Sequence, residues 1–204
     1  MIVYAFLAPV PASLRPIFGA AAMASAMVLA GIGPAAAGEF YLGIHGGASF
    51  TDDDQVHAST ISYDTGHGYG FAGGYAFEAA PRLELELTRR ENKESQPVSG
   101  LSNDRLVSVA LLGNVYFDID LESDWTPYVG LGTGLALFGG NGPSLPIARV
   151  AFQLGAGVSH PVSESLTASI DYRVLYADTG SGVLESSDGD YLNQSLWLGL
   201  RYGF

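Results

Sequence analysis

No cysteine occurs anywhere in the 204 residues. Disulfide frameworks, thiolate metal sites and cysteine nucleophiles are excluded in one step, and the composition is compatible with an oxidising compartment. Positive charge is scarce as well. Nine Lys and Arg stand against 21 Asp and Glu, for a net charge of −12. So few cations cannot displace counterions from a phosphate backbone, so no nucleic-acid partner is expected. Charged residues of both signs make up 15% of the chain, below the ~25% of ordinary soluble proteins. Glycine is abundant instead, at 27, with 11 Tyr and 10 Phe. Low charge with much glycine and aromatic content points to a β-rich membrane protein.

Residues 17–37 carry no charge, follow Arg15, and end in Pro34-Ala35-Ala36-Ala37 before Gly38. The A-x-A exit is that of a secretory signal peptide, which divides the chain into a leader, 1–37, and a mature domain, 38–204. An uncleaved anchor would fit the length but would not need the small-residue exit. Residues 1–14 lack Lys and Arg, unusual for the start of a leader, so the start codon is left open, with Met23 a further candidate. The mature span of 167 residues keeps 8 basic and 21 acidic side chains.

From there apolar residues recur at every second position rather than at helical spacing. In 39–50 they are Phe40, Leu42, Ile44, Ala48 and Phe50. In 67–78, Tyr69, Phe71, Tyr75 and Phe77 oppose Gly70, Ala72, Gly74 and Ala76. Leu83, Leu85 and Leu87 alternate with Arg82, Glu84, Glu86 and Thr88. The pattern continues through 105–118, 125–138, 147–159, 165–176 and 191–204, making eight segments near the ~9–11 residues a tilted strand needs to cross a bilayer. Long polar connections (51–66, 91–104, 139–146, 177–190) alternate with short ones (79–81, 119–124, 160–164). The expectation is an all-β fold: an eight-stranded antiparallel up-and-down transmembrane β-barrel with both ends periplasmic. A secreted soluble barrel would alternate too. Against it stand a bulky, nearly charge-free face opposite a small, Gly-rich one. Tyr41, Tyr69, Tyr116, Trp125, Tyr176, Tyr191 and Tyr202 also lie near strand ends, where an aromatic girdle meets headgroups.

Four stretches carry a family resemblance: Gly70-Phe71-Ala72-Gly73-Gly74-Tyr75, Thr126-Pro127-Tyr128-Val129-Gly130-Leu131-Gly132, Gln153-Leu154-Gly155-Ala156-Gly157-Val158, and Asp171-Tyr172-Arg173. With them the mature chain resembles the eight-stranded outer-membrane barrels of the OmpA-transmembrane-domain, OmpX and opacity-protein group. The resemblance implies a location in the outer membrane of a Gram-negative bacterium, among its lipids. It also implies that Gly199, Tyr202 and Phe204 form the C-terminal signal read by the barrel-assembly machinery. In that family the signal carries a polar residue where this chain has Trp197.

The inward face is expected to hold Arg82, Arg90, Arg149, Arg173 and Arg201 with Glu39, Glu78, Glu84, Glu86 and Asp171. Eight strands leave room for side chains, not for a wide channel, and opposed charges there should pair, because an unpaired buried ion costs several kcal/mol. The candidate network Arg82, Glu84, Glu86, Arg149, Asp171, Arg173 and Arg201 is therefore a plug, or alternatively the gate of a narrow passive pore for ions or small solutes. The acidic loop residues Asp52, Asp53, Asp54, Asp64, Asp178, Glu185, Asp188 and Asp190 have oxygens suited to Ca²⁺ but no EF-hand spacing, and read as a solvated surface. An extracellular ligand, if there is one, meets these loops. Catalysis needs a base within reach of a nucleophile. His67 with Ser59 or Asp64 offers only a paper assembly of a rim-located lipid-modifying hydrolase, which His57→Ala and His67→Ala would test. Without a phosphate loop, zinc-protease motif or dinucleotide fingerprint, the expectation is a structural or surface-interaction role, with no cofactor, metal or catalytic residue.

Overall fold

The computed structural model describes residues 38–51, 54–56, 59–61, 64–78, 81–93, 105–139, 147–177 and 191–204. The expected leader lies outside them. Ten strands follow in chain order: β1 (Gly38–Thr51), β2 (Asp54–Val56), β3 (Ser59–Ile61), β4 (Gly66–Phe77), β5 (Arg82–Lys93), β6 (Arg105–Asp118), β7 (Thr126–Gly139), β8 (Ile147–Pro161), β9 (Leu166–Ala177) and β10 (Tyr191–Gly203). Eight of them close into one antiparallel barrel in the order β1-β10-β9-β8-β7-β6-β5-β4. β2 and β3 pair separately as a small ribbon within a stretch that the sequence pattern reads as plain loop.

Period-two alternation is what turns these sequences into a wall, since it gives each strand one apolar and one polar face. The apolar face points out. Phe40, Leu42, Phe71, Leu85 and Leu198 are 60–65% exposed, while the inward Glu86, Arg90 and Asn193 are fully buried. That inversion suits a chain whose solvent is hydrocarbon on the outside. Closure serves the same end, because a sheet edge in lipid would leave N–H and C=O groups without partners. The seam runs through β1 and β10, from Tyr41 opposite Gly203 to Thr51 opposite Asn193. At its foot the Phe204 N–H donates to the Phe40 carbonyl at 3.0 Å.

One end of the barrel, the turn end, carries the three short connections and both termini of the described wall. The β6–β7 turn is held by the Ile119 N–H on the Pro127 carbonyl at 2.8 Å and by the Glu122 N–H on Asp120 Oδ1 at 2.9 Å. Glu122 takes a left-handed backbone, φ 54°. The β8–β9 turn is closed by the Val162 N–H on the Leu166 carbonyl at 2.7 Å. The opposite end, the loop end, bears the long connections. Their residues 94–104, 140–146 and 178–190 lie outside the described set, as do Asp52, Asp53 and His57.

The expected aromatic girdle and the expected end of β5 are corrected. Tyr41, Tyr116 and Tyr191 point into the barrel and are buried, because each shares its strand's inward phase. Tyr69, Trp125 and Tyr202 do lie on the outer surface. Residues 91–93, expected in a loop, continue β5 to Lys93.

Candidate functional site: a filled lumen

Toward the turn end, Arg82 donates Nε to Asp118 Oδ2 at 2.7 Å and Nη2 to Oδ1 at 2.9 Å. Its guanidinium lies over the rings of Tyr116 and Tyr128, 4.9 and 5.1 Å from their centroids. The Tyr41 hydroxyl donates to Glu84 at 2.9 Å, and Arg201 stacks over Tyr41 at 5.4 Å. Glycines on neighbouring strands make room for these rings. A Cβ on Gly74 would fall 2.3 Å from Tyr41, and one on Gly130 would fall 2.2 Å from Tyr116.

The middle layer is ionic. Arg173 pairs with both Glu86 and Asp171, and the Tyr128 hydroxyl donates to the other Asp171 oxygen at 3.0 Å. Gln153 donates to Asn114 Oδ1 at 3.2 Å and to Glu86 at 3.4 Å, while Arg90 donates to Thr88 at 2.8 Å and to Gln153 at 3.2 Å. His45 Nε2 stands 3.7 Å from Glu86. Above it lies Trp197, with no exposed surface. Its indole is 5.2 Å from the Arg90 guanidinium and 5.6 Å from that of Arg173, edge-on to His45, and its N–H donates to Ser195 at 2.7 Å. Such cation–π contacts strengthen where water is excluded.

Toward the loop end the filling divides. On the β1–β10 side Asn193 donates to Ser49 at 2.8 Å, and Ser49 donates to Asn92 at 2.9 Å. Across from it Ala110, Leu112, Ala136, Phe138, Ala151, Leu175, Ala177 and Tyr191 form an apolar cluster inside the barrel. A cavity of about 30 Å³ lies below the ionic layer, bordered by His45, Glu84, Tyr116, Tyr128, Arg173 and Arg201 among others. It has room for about two waters.

Of the sequence-derived network, Arg82, Glu84, Glu86, Asp171 and Arg173 meet in this interior. Arg201 joins them through Tyr41. Arg149 does not. It lies toward the loop end of β8, opposite Ala136, and its side chain donates to the Ala148 carbonyl at 3.0 Å. Glu39 and Glu78 are exposed at the turn end. Tyr202 and Phe204 project outward there, and Gly199 packs against Ser169. Sequence reasoning missed Trp197, His45 and the inward Leu112, Phe138 and Leu175. Phase alone marks all five, since Trp197, His45, Leu112 and Leu175 share the parity of their strands' inward polar residues and Phe138 that of Gly130, Gly132 and Gly134. Among the described residues no group of three or more His, Asp or Glu is arranged to hold a metal. His160 stacks on Trp125, 4.6 Å between centroids.

A closed eight-stranded barrel with an apolar exterior and a polar, filled interior is the architecture of an outer-membrane β-barrel protein. The family model described as outer membrane protein beta-barrel domain matches residues 17–204, and the chain belongs to that family. Its place is the Gram-negative outer membrane. Among solved structures, Neisserial surface protein A is similar at 16% identity, over 81% of this chain and 97% of that one, with a TM-score of 0.57. Outer membrane protein AlkL, solved in lipid bilayers, is similar at 15% identity, over 85% and 93%, with a TM-score of 0.51. Both likenesses lie in the fold. No curated protein matches by sequence.

Proposed function

We propose that the chain is a plugged, non-catalytic wall protein of the outer membrane, structural in the bilayer and interacting with the medium through its loops. The observation that carries this is the continuity of the filling: Arg82 with Asp118, the Glu86–Arg173–Asp171 group, Trp197 between two guanidiniums, and the apolar cluster above. The cavity of about 30 Å³ among them has room for about two waters, which supports a plug. The termini face the periplasm and the long connections the outside, as short turns and long loops are disposed in such barrels. Gly199, Tyr202 and Phe204 serve insertion through the barrel-assembly machinery, and any extracellular ligand engages the loops.

Planar-bilayer conductance tests this directly, with wild type beside Arg173→Ala and Trp197→Ala. Wild type is silent and the Trp197 variant gives small stable openings. Openings of equal size in all three would overturn the plug and favour the narrow pore, with the ion pairs as its gate.

A further inference from the structure

Among the described residues the outer wall carries formal charge at one place. On β1, β4, β7, β8, β9 and β10 no described outward position holds Lys, Arg, Asp or Glu. On β5 and β6 the outward face changes abruptly toward the loop end. Leu85 and Leu87 give way to Arg89, Glu91 and Lys93, and Leu111, Val109 and Val107 give way to Arg105. Three of the eight cations in residues 38–204 thus share one patch with a single carboxylate. Glu91 fixes two of them, taking Arg105 on Oε1 at 2.6 Å and Arg89 on Oε2 at 2.9 Å. Tyr69, opposite Arg89 on β4, is 49% exposed and lies at the boundary with the apolar belt, where amphipathic rings meet headgroups.

A second observation is independent of that clustering. Lys93 is the direct cross-strand partner of Arg105. Like charges opposite one another on the same face destabilise an antiparallel pair. Arg105 is held by Glu91, but the exposed Lys93 ammonium pairs with none of the described carboxylates. An anion seated between the two converts repulsion into charge-assisted hydrogen bonds, and a guanidinium presents two parallel N–H groups to a phosphate.

We propose that this rim binds the phosphate of an anionic lipid headgroup through Arg89, Lys93 and Arg105, with Tyr69 against the glycerol or sugar beneath it. On the orientation given under Proposed function, on which this choice of lipid rests, the leaflet is the outer one and the ligand a phosphorylated glycolipid. Glu94 and Asp104 adjoin the patch in sequence, outside the described residues.

The test uses protein purified from outer membranes and exchanged into zwitterionic detergent, with bound lipid counted by native mass spectrometry. The probes are a bisphosphorylated disaccharide lipid, its dephosphorylated form, phosphatidylglycerol and inorganic phosphate. The expected result is at least tenfold tighter binding of the phosphorylated than of the dephosphorylated glycolipid, and a tenfold or greater loss in Lys93→Gln/Arg105→Gln. Arg149→Gln, a cation of the same end outside the patch, leaves binding unchanged. If the double variant fails to fold, Lys93→Gln alone carries the comparison, because it breaks no ion pair described here. Equal binding of both glycolipid forms, or binding unaffected in the folded variants, would overturn the site. Equal affinity for phosphatidylglycerol would overturn the glycolipid assignment, and full competition by millimolar inorganic phosphate would overturn a lipid ligand. Micelles have no sides, so these results are independent of which way the barrel faces. Protease access to the loops on intact cells tests that separately.

Discussion

Glu86 and Arg173 sit at the centre of the lumen, and a double-mutant cycle measures what joins them. Glu86→Gln removes a fully buried carboxylate that faces Arg173, His45 and Gln153. Breaking a buried pair by removing one partner costs about 3–5 kcal/mol where the other charge is left uncompensated; Arg173 keeps Asp171, so Glu86→Gln falls at the lower end of that range. Arg173→Met is expected toward the upper end of that range, since it strands two acids, Glu86 and Asp171. In the double variant only Asp171 is left without its arginine, still accepting from the Tyr128 hydroxyl at 3.0 Å, whereas Arg173→Met alone leaves both Asp171 and Glu86 without one. The two changes together therefore cost less than their sum, by about 2–3 kcal/mol, the coupling seen for residues in one network. Urea unfolding in lipid vesicles reads this out. There are two tryptophans, so in a Trp125→Phe background fluorescence reports Trp197 alone, 5.6 Å from the Arg173 guanidinium. Costs that add to within about 0.5 kcal/mol would refute the reasoning, and the lumen would then be a set of independent contacts.

Two further outcomes follow from the wall. Leu135→Arg and Ile170→Arg, on the outward face, each lower stability by about 2–4 kcal/mol near the midplane. Inward Thr167→Arg costs far less in the same unfolding assay, and equal tolerance would mean the faces are misassigned. Glu122 has the one positive φ among the described non-glycine residues, so Glu122→Gly raises stability by about 1 kcal/mol, read as a higher urea midpoint; a lower midpoint would show that its side chain is needed.

The wall was legible in the residues because a pleated strand has a side-chain period of two, and lipid outside with ions inside makes both phases distinctive. Leu83-Glu84-Leu85-Glu86-Leu87 cannot be read any other way. Legibility failed where a second criterion competed with phase. Tyr41, Tyr116 and Tyr191 were assigned to a girdle by their nearness to strand ends, although Tyr41 shares its parity with Gly43 and His45. The inward Leu112, Phe138 and Leu175 were hidden because the interior was expected to be polar or small throughout. The end of β5 was hidden by chemistry. Arg89, Glu91 and Lys93 break the apolar alternation, yet the backbone keeps its ladder past them, since a strand leaving the hydrocarbon needs no apolar side chain. The pairings themselves, Arg173 with Glu86 87 positions away, depend on barrel register, which no local pattern encodes.

The seam between β1 and β10 has a consequence for how the chain may be cut. Every other neighbouring pair in the barrel is consecutive among the eight wall strands, whereas Leu42 meets Tyr202 across almost the whole of residues 38–204. The wall has no beginning of its own, only the seam where its first and last strands meet. With Phe204 bonded to Phe40, a few linking residues would join the ends, and new ends could be opened in any of the long connections. Such a permuted chain would build the same cylinder while making its slow, distant closure between a different pair of strands.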